Sequence, residues 1–512
     1  MNKPNPNILR GRQLAELFFT RNAPGSTNWT CRCGVRRAQN GSGYSNLVSH
    51  ITSEHPEYNT FDAMNPPAPT ALFDIMVPRL VSTVYGWLHW ITMSMLPFSF
   101  VSNTLARRYT KLDPISRTSF MKYMHALCAH VERKIASQLP DSVVSLVHDG
   151  WSHGSTHYLA IFATFPSSDP IGYTRTLLAF APINDEESLS ADAHYEFTLF
   201  VLELYGKSWD NVIALIGDNC STNGAFARRA GVPLIGCASH RFNLFMSDVL
   251  ADHADVIDKV NQLMTKLRFT LPAARLRRLT PLVAKTNNTT RWSSTYSMLK
   301  RYNEIKSFLI DINDNNIDVL RLNVVEDREV TALLTKLEDL NAITLALQSE
   351  DCSLLDARQI FDTVIEDYPD AAARLGRSAA IVKNPAFEDG VVKVLLESEA
   401  SLTNVEAEAI KALRDSQASQ GSEEGVAVPA LSLAERALKK KKVMRAPSVY
   451  KDCRFLRPTS NMCERFFSAT KLAVGDRRCS ITPKNFEEQM FLRANIHFWT
   501  TEDVQAMMRT LE

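Results

Sequence analysis

The alternation of apolar and polar residues changes its period at about residue 143. Before this point, apolar positions recur at helical spacing and the pattern is broken at Pro78, Pro97 and Pro114. After it, short uninterrupted apolar runs predict strands that alternate with segments of helical spacing. The predicted strands are residues 143–147, 158–165, 174–183, 212–216 and 233–236. The predicted helices are residues 191–205 and 221–230, with a longer one from about His240. This order predicts an α/β fold with a mixed sheet flanked by helices.

The part of the chain that follows keeps a helical period over a long distance. Residues 246–450 contain no convincing strand pattern. Within them, the polar stretch 415–433 predicts a flexible loop. Near the other end of the chain, the Pro/Ala/Thr-rich residues 62–70 predict a linker. We therefore expect a mixed sheet followed by a mainly helical segment.

Composition places the chain among ordinary globular proteins, with 45% hydrophobic and 22% charged residues and a net charge of +1. The distribution of charge is uneven. Residues 1–50 carry seven Lys/Arg against one acid, residues 436–480 carry thirteen against three, and residues 350–424 carry sixteen acids against seven bases. Basic ends are typical of a chain with DNA-contact surfaces, although solvated surface charge has the same pattern.

Cysteine usage and hydropathy bear on the compartment. The chain has nine cysteines, an odd number, and its first residues are polar rather than a signal peptide. We therefore expect reduced thiols in a cytosolic or nuclear protein. Residues 80–101 are apolar but contain His89 and Pro97, which favours a buried helix over a membrane span.

Two acids follow buried runs: Asp149 comes after residues 143–147, and Asp218 after residues 212–216. If the first and fourth strands are neighbours, the two carboxylates lie a few ångströms apart, which is unfavourable unless a cation neutralises them. Mg²⁺ or Mn²⁺ accepts such oxygen ligands, and a third carboxylate completes a site. Glu464 is the candidate for that third ligand. For one acid alone, a turn or helix-cap role is the stronger interpretation; for both together, we expect a metal site.

A second cluster lies near the N-terminus. Cys31, Cys33, His50 and His55 are four ligands of the types that bind zinc tetrahedrally. Cys-x-Cys is shorter than the usual Cys-x₂-Cys and predicts a tighter or altered turn. The alternative is a coincidence of thiols and imidazoles, but we expect zinc here, with the metal contributing much of the folding energy of so small a module.

Four further features have two interpretations each. His240 follows the fifth predicted strand and suits a phosphate contact near the carboxylates, or a helix-cap or core role. Arg291 and Trp292 can grip phosphate and stack on a base, although a Trp that anchors the following helix is favoured from the residues alone. The apolar positions of residues 458–499 suit core packing or a dimer contact. The lysine run 439–442 is a nuclear-localisation patch or a solvated charge run.

Five motifs in this order resemble those of hAT-superfamily DNA transposases that carry an N-terminal BED-type zinc finger. The motifs are His148-Asp149-Gly150-Trp151-Ser152, Gly217-Asp218-Asn219, Cys237-Ala238-Ser239-His240, Thr290-Arg291-Trp292, and the C-terminal pair Pro458-Thr459-Ser460-Asn461 through Glu464-Arg465-Phe466-Phe467-Ser468 and Phe491-Leu492-Arg493-Ala494-Asn495. The resemblance covers most of the chain.

The resemblance implies an organisation into five segments. Residues 1–60 would be a BED-type zinc finger with a basic arm, and residues 71–140 a helical region that precedes the catalytic core. Residues 141–245 would form the first part of an RNase H-like core, residues 246–450 an all-helical insertion, and residues 451–512 the last part of the core with the dimerisation region.

The resemblance also implies an activity. Asp149, Asp218 and Glu464 would bind two Mg²⁺ or Mn²⁺, and His240 would support the site near the scissile phosphate. Trp292 would stack on a flipped base, which reverses the preference from the residues alone, while Arg291 would contact DNA. The protein would be a dimeric nuclear enzyme that binds double-stranded transposon ends and cuts and rejoins them. The alternative is a domesticated DNA-binding regulator that no longer cuts DNA.

Overall fold

The protein is described here from a computed structural model of the chain. The structure describes residues 11–22, 26–31, 33–39, 41, 43–55, 77–141, 143–168, 171–183, 189–288, 291–415, 448–473 and 481–511, without the side chains of residues 13, 472 and 473. The chain divides into two compact units. The first contains Met1–Gln138 and Thr470–Glu512, and the second contains Leu139–Ala469.

The first unit begins with a small three-stranded module. Helix α1 (Arg12–Phe18) leads into an antiparallel sheet of β1 (Phe19–Arg21), β2 (Asn28–Cys31) and β3 (Arg36–Ala38), and helix α2 (Ser45–Glu54) follows. Its core consists of nine buried residues: Leu14, Ala15, Phe18, Phe19, Trp29, Cys31, Cys33, Leu47 and Ile51. So small a core supplies limited stability by itself.

Among the described residues up to Gln138, three α-helices follow, and the first and third begin within three residues of Pro78 and Pro114. They are α3 (Arg79–Met93), α4 (Thr104–Tyr109) and α5 (Arg117–Gln138). The apolar stretch 80–101 is mostly α3, which buries Val84, Trp87, Leu88 and Ile91. None of the described helices is both long and apolar enough to cross a membrane.

The second unit is built on a five-stranded mixed sheet. Its strands are β4 (Val144–His153), β5 (Thr156–Pro166), β6 (Tyr173–Pro182), β7 (Val212–Gly217) and β8 (Leu234–Gly236). They lie side by side in the order β6-β5-β4-β7-β8. The first three are antiparallel neighbours, whereas β7 is parallel to β4 and β8 is parallel to β7. The predicted adjacency of the first and fourth strands is thereby confirmed. All six residues of β7 are buried, as expected for a central parallel strand.

The end of the first strand differs from the prediction. The apolar run stops at Val147, but β4 continues to His153 because residues 148–153 pair with β5 across a tight hairpin. The positive φ of Gly154, 60°, provides the left-handed conformation for that turn. Asp149 therefore lies inside a strand, opposite Ala160, rather than in a turn after it.

Helices α6 (Ala191–Leu204), α7 (Ser221–Ala230) and α8 (Ala238–Ala251) accompany the sheet. Helix α7 has exactly the predicted bounds. Cys220 caps its N-terminus, and Gly231 ends it in a left-handed conformation with φ of 71°.

A helical segment follows, as the sequence pattern predicts for this region. It comprises α9 (Ala254–Lys266), α10 (Thr270–Leu279), α11 (Trp292–Ile305), α12 (Asn315–Asp318), α13 (Val324–Leu347), α14 (Leu354–Asp367), α15 (Ala372–Leu375), α16 (Pro385–Leu395) and α17 (Asn404–Ala409). Capping boxes at Asn323, Ser353 and Thr403 start three of these helices. Most of the predicted loop 415–433 and the lysine run 439–442 lie outside the described residues, as does the predicted linker 62–70.

Three helices complete the chain: α18 (Asn461–Ala473), α19 (Pro483–Ala494) and α20 (Thr501–Arg509). The apolar stripe of the C-terminal block is buried within the single chain at Phe486, Met490, Phe491, Asn495, Phe498 and Trp499. Trp499 donates from Nε1 to the carbonyl of Leu492 at 3.0 Å. These side chains are part of a core, as the packing interpretation expects.

Candidate functional site

The two strand acids lie at the same edge of the sheet. The parallel pairing of β4 with β7 ends at Val147 and Ile216. Asp149 and Asp218 each follow two residues beyond those partners, so both carboxylates lie where the two strands separate. Both line a cleft of about 230 Å³. Clefts at such points of α/β sheets are common ligand sites.

Glu464 reaches the same cleft from the first turn of α18. The start of this helix is held to the start of α8. Ala238 donates its backbone N–H to the carbonyl of Pro458 at 2.8 Å, and Asn461 donates from Nδ2 to Ser239 Oγ at 2.9 Å. These bonds bring together segments more than 200 residues apart along the chain, which places Glu464 beside the two aspartates.

The Cys-x₂-His segment therefore has a structural role in holding the two helices together. Cys237 is buried, and its Sγ accepts the backbone N–H of Ser460 at 3.4 Å. Burial raises the pKa of the Cys237 thiol, so it stays protonated. His240, one turn into α8, lines the cleft and is partly exposed. The motif thus joins two helices through Cys237 and presents the imidazole of His240 to the cleft.

Asp149 has the most perturbed carboxyl of the cleft. Its pKa is raised to about 7, first by burial and then by the negative charges of Asp218 and Glu464. The N–H of Gly150, 2.9 Å from Oδ1, and the charge of Arg291 oppose the rise. The site therefore concentrates negative charge that a cation would neutralise.

Arg291 already neutralises part of that charge. Its Nη2 lies 3.0 Å from Oε2 of Glu464. Within the described part of the chain, the three carboxylates are not a group whose ligand atoms all lie within 4.8 Å of one another. Asp149, Asp218 and Glu464 thus share one cleft, with Glu464 turned toward a guanidinium.

Trp292 lines the cleft from the first position of α11 but is only 6% exposed. Its ring packs at 6.3 Å from Phe242 and 6.2 Å from Tyr296, and its backbone N–H donates to Asn243 Oδ1 at 3.2 Å. This is the arrangement of a tryptophan that anchors the helix it begins.

Two residues without a role predicted from the sequence, Asn223 and His148, lie behind the aspartates. Asn223 donates from Nδ2 to Asp218 Oδ1 at 2.6 Å and so fixes that carboxylate. His148 is buried beneath the site, and burial lowers its pKa to about 4, so the imidazole is neutral. Gly217 leaves room for it, because a Cβ there would lie 3.0 Å from His148 Nε2. The only sequence signal for Asn223 was its place in the first turn of the helix after Asp218.

The N-terminal cluster converges as predicted. Cys31, Cys33, His50 and His55 are all buried, and their ligand atoms lie within 4.8 Å of one another. Cys31 Sγ is 3.5 Å from His55 Nε2, and Cys33 Sγ is 3.3 Å from His50 Nε2. A tetrahedral zinc ion with ordinary bond lengths separates a sulfur and a nitrogen ligand by about 3.5 Å. The short Cys-x-Cys spacing is thus compatible with a Cys₂His₂ site that can bind zinc.

The chemistry of the thiols suits a metal as well. The pKa of Cys33 is lowered to about 3, foremost by its hydrogen bond with Cys31 and further by His55, the backbone of Val35 and His50. A thiol with so low a pKa is a thiolate at neutral pH, which is the form that binds zinc.

Comparison with known proteins gives little to add. No protein-family model and no curated protein matches the chain. Among solved structures, it is similar to the Drosophila P element transposase strand transfer complex, with 11% sequence identity and a TM-score of 0.30 over 90% of this chain and 98% of that one. At this TM-score the similarity supports no argument about fold or activity.

Proposed function

We propose that the protein is a metal-dependent DNA transposase of the hAT type, which binds transposon ends and cuts and rejoins DNA strands. One observation carries the proposal. Asp149 and Asp218 lie beyond the paired ends of adjacent parallel strands, and Glu464 joins their cleft from a helix far along the chain. Three separated acids in one cleft are what a site for divalent cations and phosphate needs.

The proposal includes an RNase H-like core. Its support is the sheet, in which three antiparallel strands are followed by two parallel ones, with the first strand at the centre. The helical segment that follows α8 and precedes α18 would be an insertion in this core, within residues 246–450. The five motifs quoted above are the second line of support.

Asp149, Asp218 and Glu464 would hold Mg²⁺ or Mn²⁺. The raised pKa of Asp149 fits this role, because a cation would remove the repulsion that its neighbours impose. When bound, such ions activate water or a 3′ hydroxyl and stabilise charge on the phosphate that is attacked. Asn223 would keep Asp218 in position while these charges change.

The neighbouring side chains would act on the DNA. His240 lines the cleft, is partly exposed, and would hydrogen-bond a phosphate oxygen. Arg291 would leave Glu464 and contact the DNA backbone, which its 54% exposed side chain permits. Trp292 would stack on a flipped base only if its ring turned out of the core, since it is 6% exposed.

The N-terminal Cys₂His₂ module would be a BED-type zinc finger that binds double-stranded DNA near the transposon ends. Exposed Arg36 and Arg37 on β3 are the basic residues that it offers to phosphate. We further propose that the protein works in the nucleus as a homodimer or higher oligomer, which would hold two DNA ends at once.

The test is strand cleavage of DNA that carries the sequences flanking the coding locus. We expect the full-length protein to nick this substrate with Mn²⁺ or Mg²⁺ but not when both cations are omitted. The Asp149→Asn and Glu464→Gln variants should bind the DNA without nicking it, whereas Glu203→Gln, an exposed acid on α6, should cut as wild type does. Cleavage by the Asp149→Asn variant at the wild-type rate would refute the site.

One observation favours the second candidate, a domesticated DNA-binding regulator. The ion pair between Arg291 and Glu464 occupies a proposed metal ligand. If wild type binds the flanking DNA under every metal condition and never nicks it, the regulator is the better description.

A further inference from the structure

A groove separate from the cleft lies in the helical segment of the second unit. It has a volume of about 630 Å³. The buried side chains of Leu267 and Leu276 contribute to its apolar lining, and the exposed side chains of Arg268, Arg277 and Lys285 contribute positive charge. Apolar surface combined with basic groups is the character of sites that bind the bases and phosphates of single strands.

The charge of this groove is not compensated locally. No carboxylate lines it. Among the described residues, Arg268, Arg277 and Lys285 form no ion pair, whereas nearby Arg275 is paired with Asp314 at 2.8 Å and Arg301 with Glu304. A polyanion is therefore the complementary occupant.

One wall of the groove is held in place by hydrogen bonds. Arg301 donates from Nη1 to the carbonyl of Val283 at 2.6 Å, and Arg268 donates from Nη1 to Thr286 Oγ1 at 2.9 Å. These bonds fix residues 283–286 along the groove. Since the guanidinium of Arg268 has five donors, several remain for a ligand.

The groove and the cleft share helix α11. Trp292 and Ser293 at the start of α11 line the cleft, and Ser294 and Ser297 on the same helix line the groove. The lining residues of the two sites on this helix are thus separated by no more than about one and a half helical turns.

An exposed aromatic side chain follows one of the groove arginines in the chain. Phe269 is 57% exposed, directly follows Arg268, and lies under the ammonium of Lys266, which is 5.6 Å from the ring centroid. Exposed aromatic rings flanked by cations are platforms on which unpaired bases stack.

We propose that this groove holds an unpaired DNA strand that extends from the cleft, with phosphates on Arg268, Arg277 and Lys285. The proposal deepens the DNA-cutting function and rests on it for the direction of the strand. The groove would bind single-stranded DNA in preference to duplex DNA. Unpaired bases can pack on its apolar surface, whereas the bases of a duplex are already stacked on one another.

The test is binding of the full-length, zinc-loaded protein to a fluorescein-labelled single strand of about 20 nucleotides, measured by anisotropy over a series of salt concentrations with no Mg²⁺ or Mn²⁺ added. The variant is Arg277→Glu with Lys285→Glu. Its matched control is Arg328→Glu with Lys336→Glu, two exposed bases on α13 that undergo the same change of charge. Unfolding midpoints of both variants are measured alongside, and Arg277→Gln with Lys285→Gln provides a neutral version.

We expect the groove variant to bind the single strand at least about tenfold more weakly, with a salt slope reduced by about one to two, and the control to stay within about twofold of wild type. Equal losses in groove variant and control would overturn the proposal, and an equal loss for a blunt duplex would overturn the unpaired strand as occupant. Because no Mg²⁺ or Mn²⁺ is added, the assay is independent of cleavage. If the groove variant weakens single-strand binding but the wild type never cuts DNA, only the proposed enzyme activity is refuted. If the wild type cuts DNA but the groove variant binds the single strand normally, only the proposed groove site is refuted.

Discussion

The guanidinium of Arg291 and the carboxylate of Glu464 form an ion pair across the cleft, with Nη2 3.0 Å from Oε2. Arg291 directly precedes α11, and Glu464 lies in the first turn of α18. The pair sits beside Asp149, whose pKa it lowers through Arg291 and raises through Glu464. A cation that binds all three acids must compete with this guanidinium.

Removing the guanidinium should strengthen cation binding. In the Arg291→Gln variant, Glu464 loses its partner and the cleft gains net negative charge, so we expect Mn²⁺ to bind about three- to tenfold more tightly in the absence of DNA. Titration calorimetry measures the change. Arg465→Gln is the control, because this neighbouring arginine pairs with Glu350 instead. Unchanged or weaker Mn²⁺ binding in Arg291→Gln would contradict the competition.

Asp149 should make stability depend on pH. Its folded pKa of about 7 lies above the ordinary 3.8, so the folded state retains a proton that the unfolded state loses. Without added Mg²⁺ or Mn²⁺, the free energy of unfolding should therefore fall as pH rises from about 4 to about 7 and then level off, by at most about 4 kcal/mol.

Two comparisons isolate this effect in denaturant titrations. Asp149→Asn should remove most of the slope and be more stable than wild type at neutral pH, whereas Glu203→Gln should retain it. Saturating Mn²⁺ should restore wild-type stability at neutral pH, because cation binding to the folded state offsets the repulsion. A wild-type curve that is flat over this pH range would argue against the perturbed carboxyl.

The N-terminal cluster should bind one zinc ion per chain. Cys33→Ser removes a thiolate ligand, and we expect loss of the bound zinc and of the ordered packing around Trp29. Metal analysis and tryptophan fluorescence measure the two losses. Cys220→Ser, a change of an exposed thiol outside the cluster, should retain the metal. Full zinc content in Cys33→Ser would show that the four residues are not the site.

Trp292 should matter for stability before any contact with DNA. Its 6% exposure and its packing against Phe242 and Tyr296 predict that Trp292→Ala costs about 3 to 5 kcal/mol of unfolding free energy, with a smaller loss for Trp292→Phe. Phe269→Ala, a change of an exposed aromatic residue in the same helical segment, should cost little. A stable Trp292→Ala variant would instead support a ring held ready for a base.

Much of the fold follows from local pattern. The five apolar runs correspond to the five strands of the sheet, and α7 has the predicted bounds because Cys220 and Gly231 mark its ends. The Cys₂His₂ cluster could also be predicted from the sequence, since its four ligands lie within 25 residues and their spacing is the signal. The end of β4 could not be predicted, because residues 148–153 are extended only through their pairing with β5.

What tertiary structure alone decided is how distant segments meet. The sequence by itself predicted candidate site residues and determined which positions of many elements are buried, since periodicity records burial over a few neighbouring positions. The residues alone favoured a Trp292 that anchors its helix, but they did not determine that Arg291 pairs with Glu464 or that Asn223 holds Asp218. Ion pairs and clefts depend on the packing of helices and strands that are far apart along the chain, and a local period contains no information about that distance.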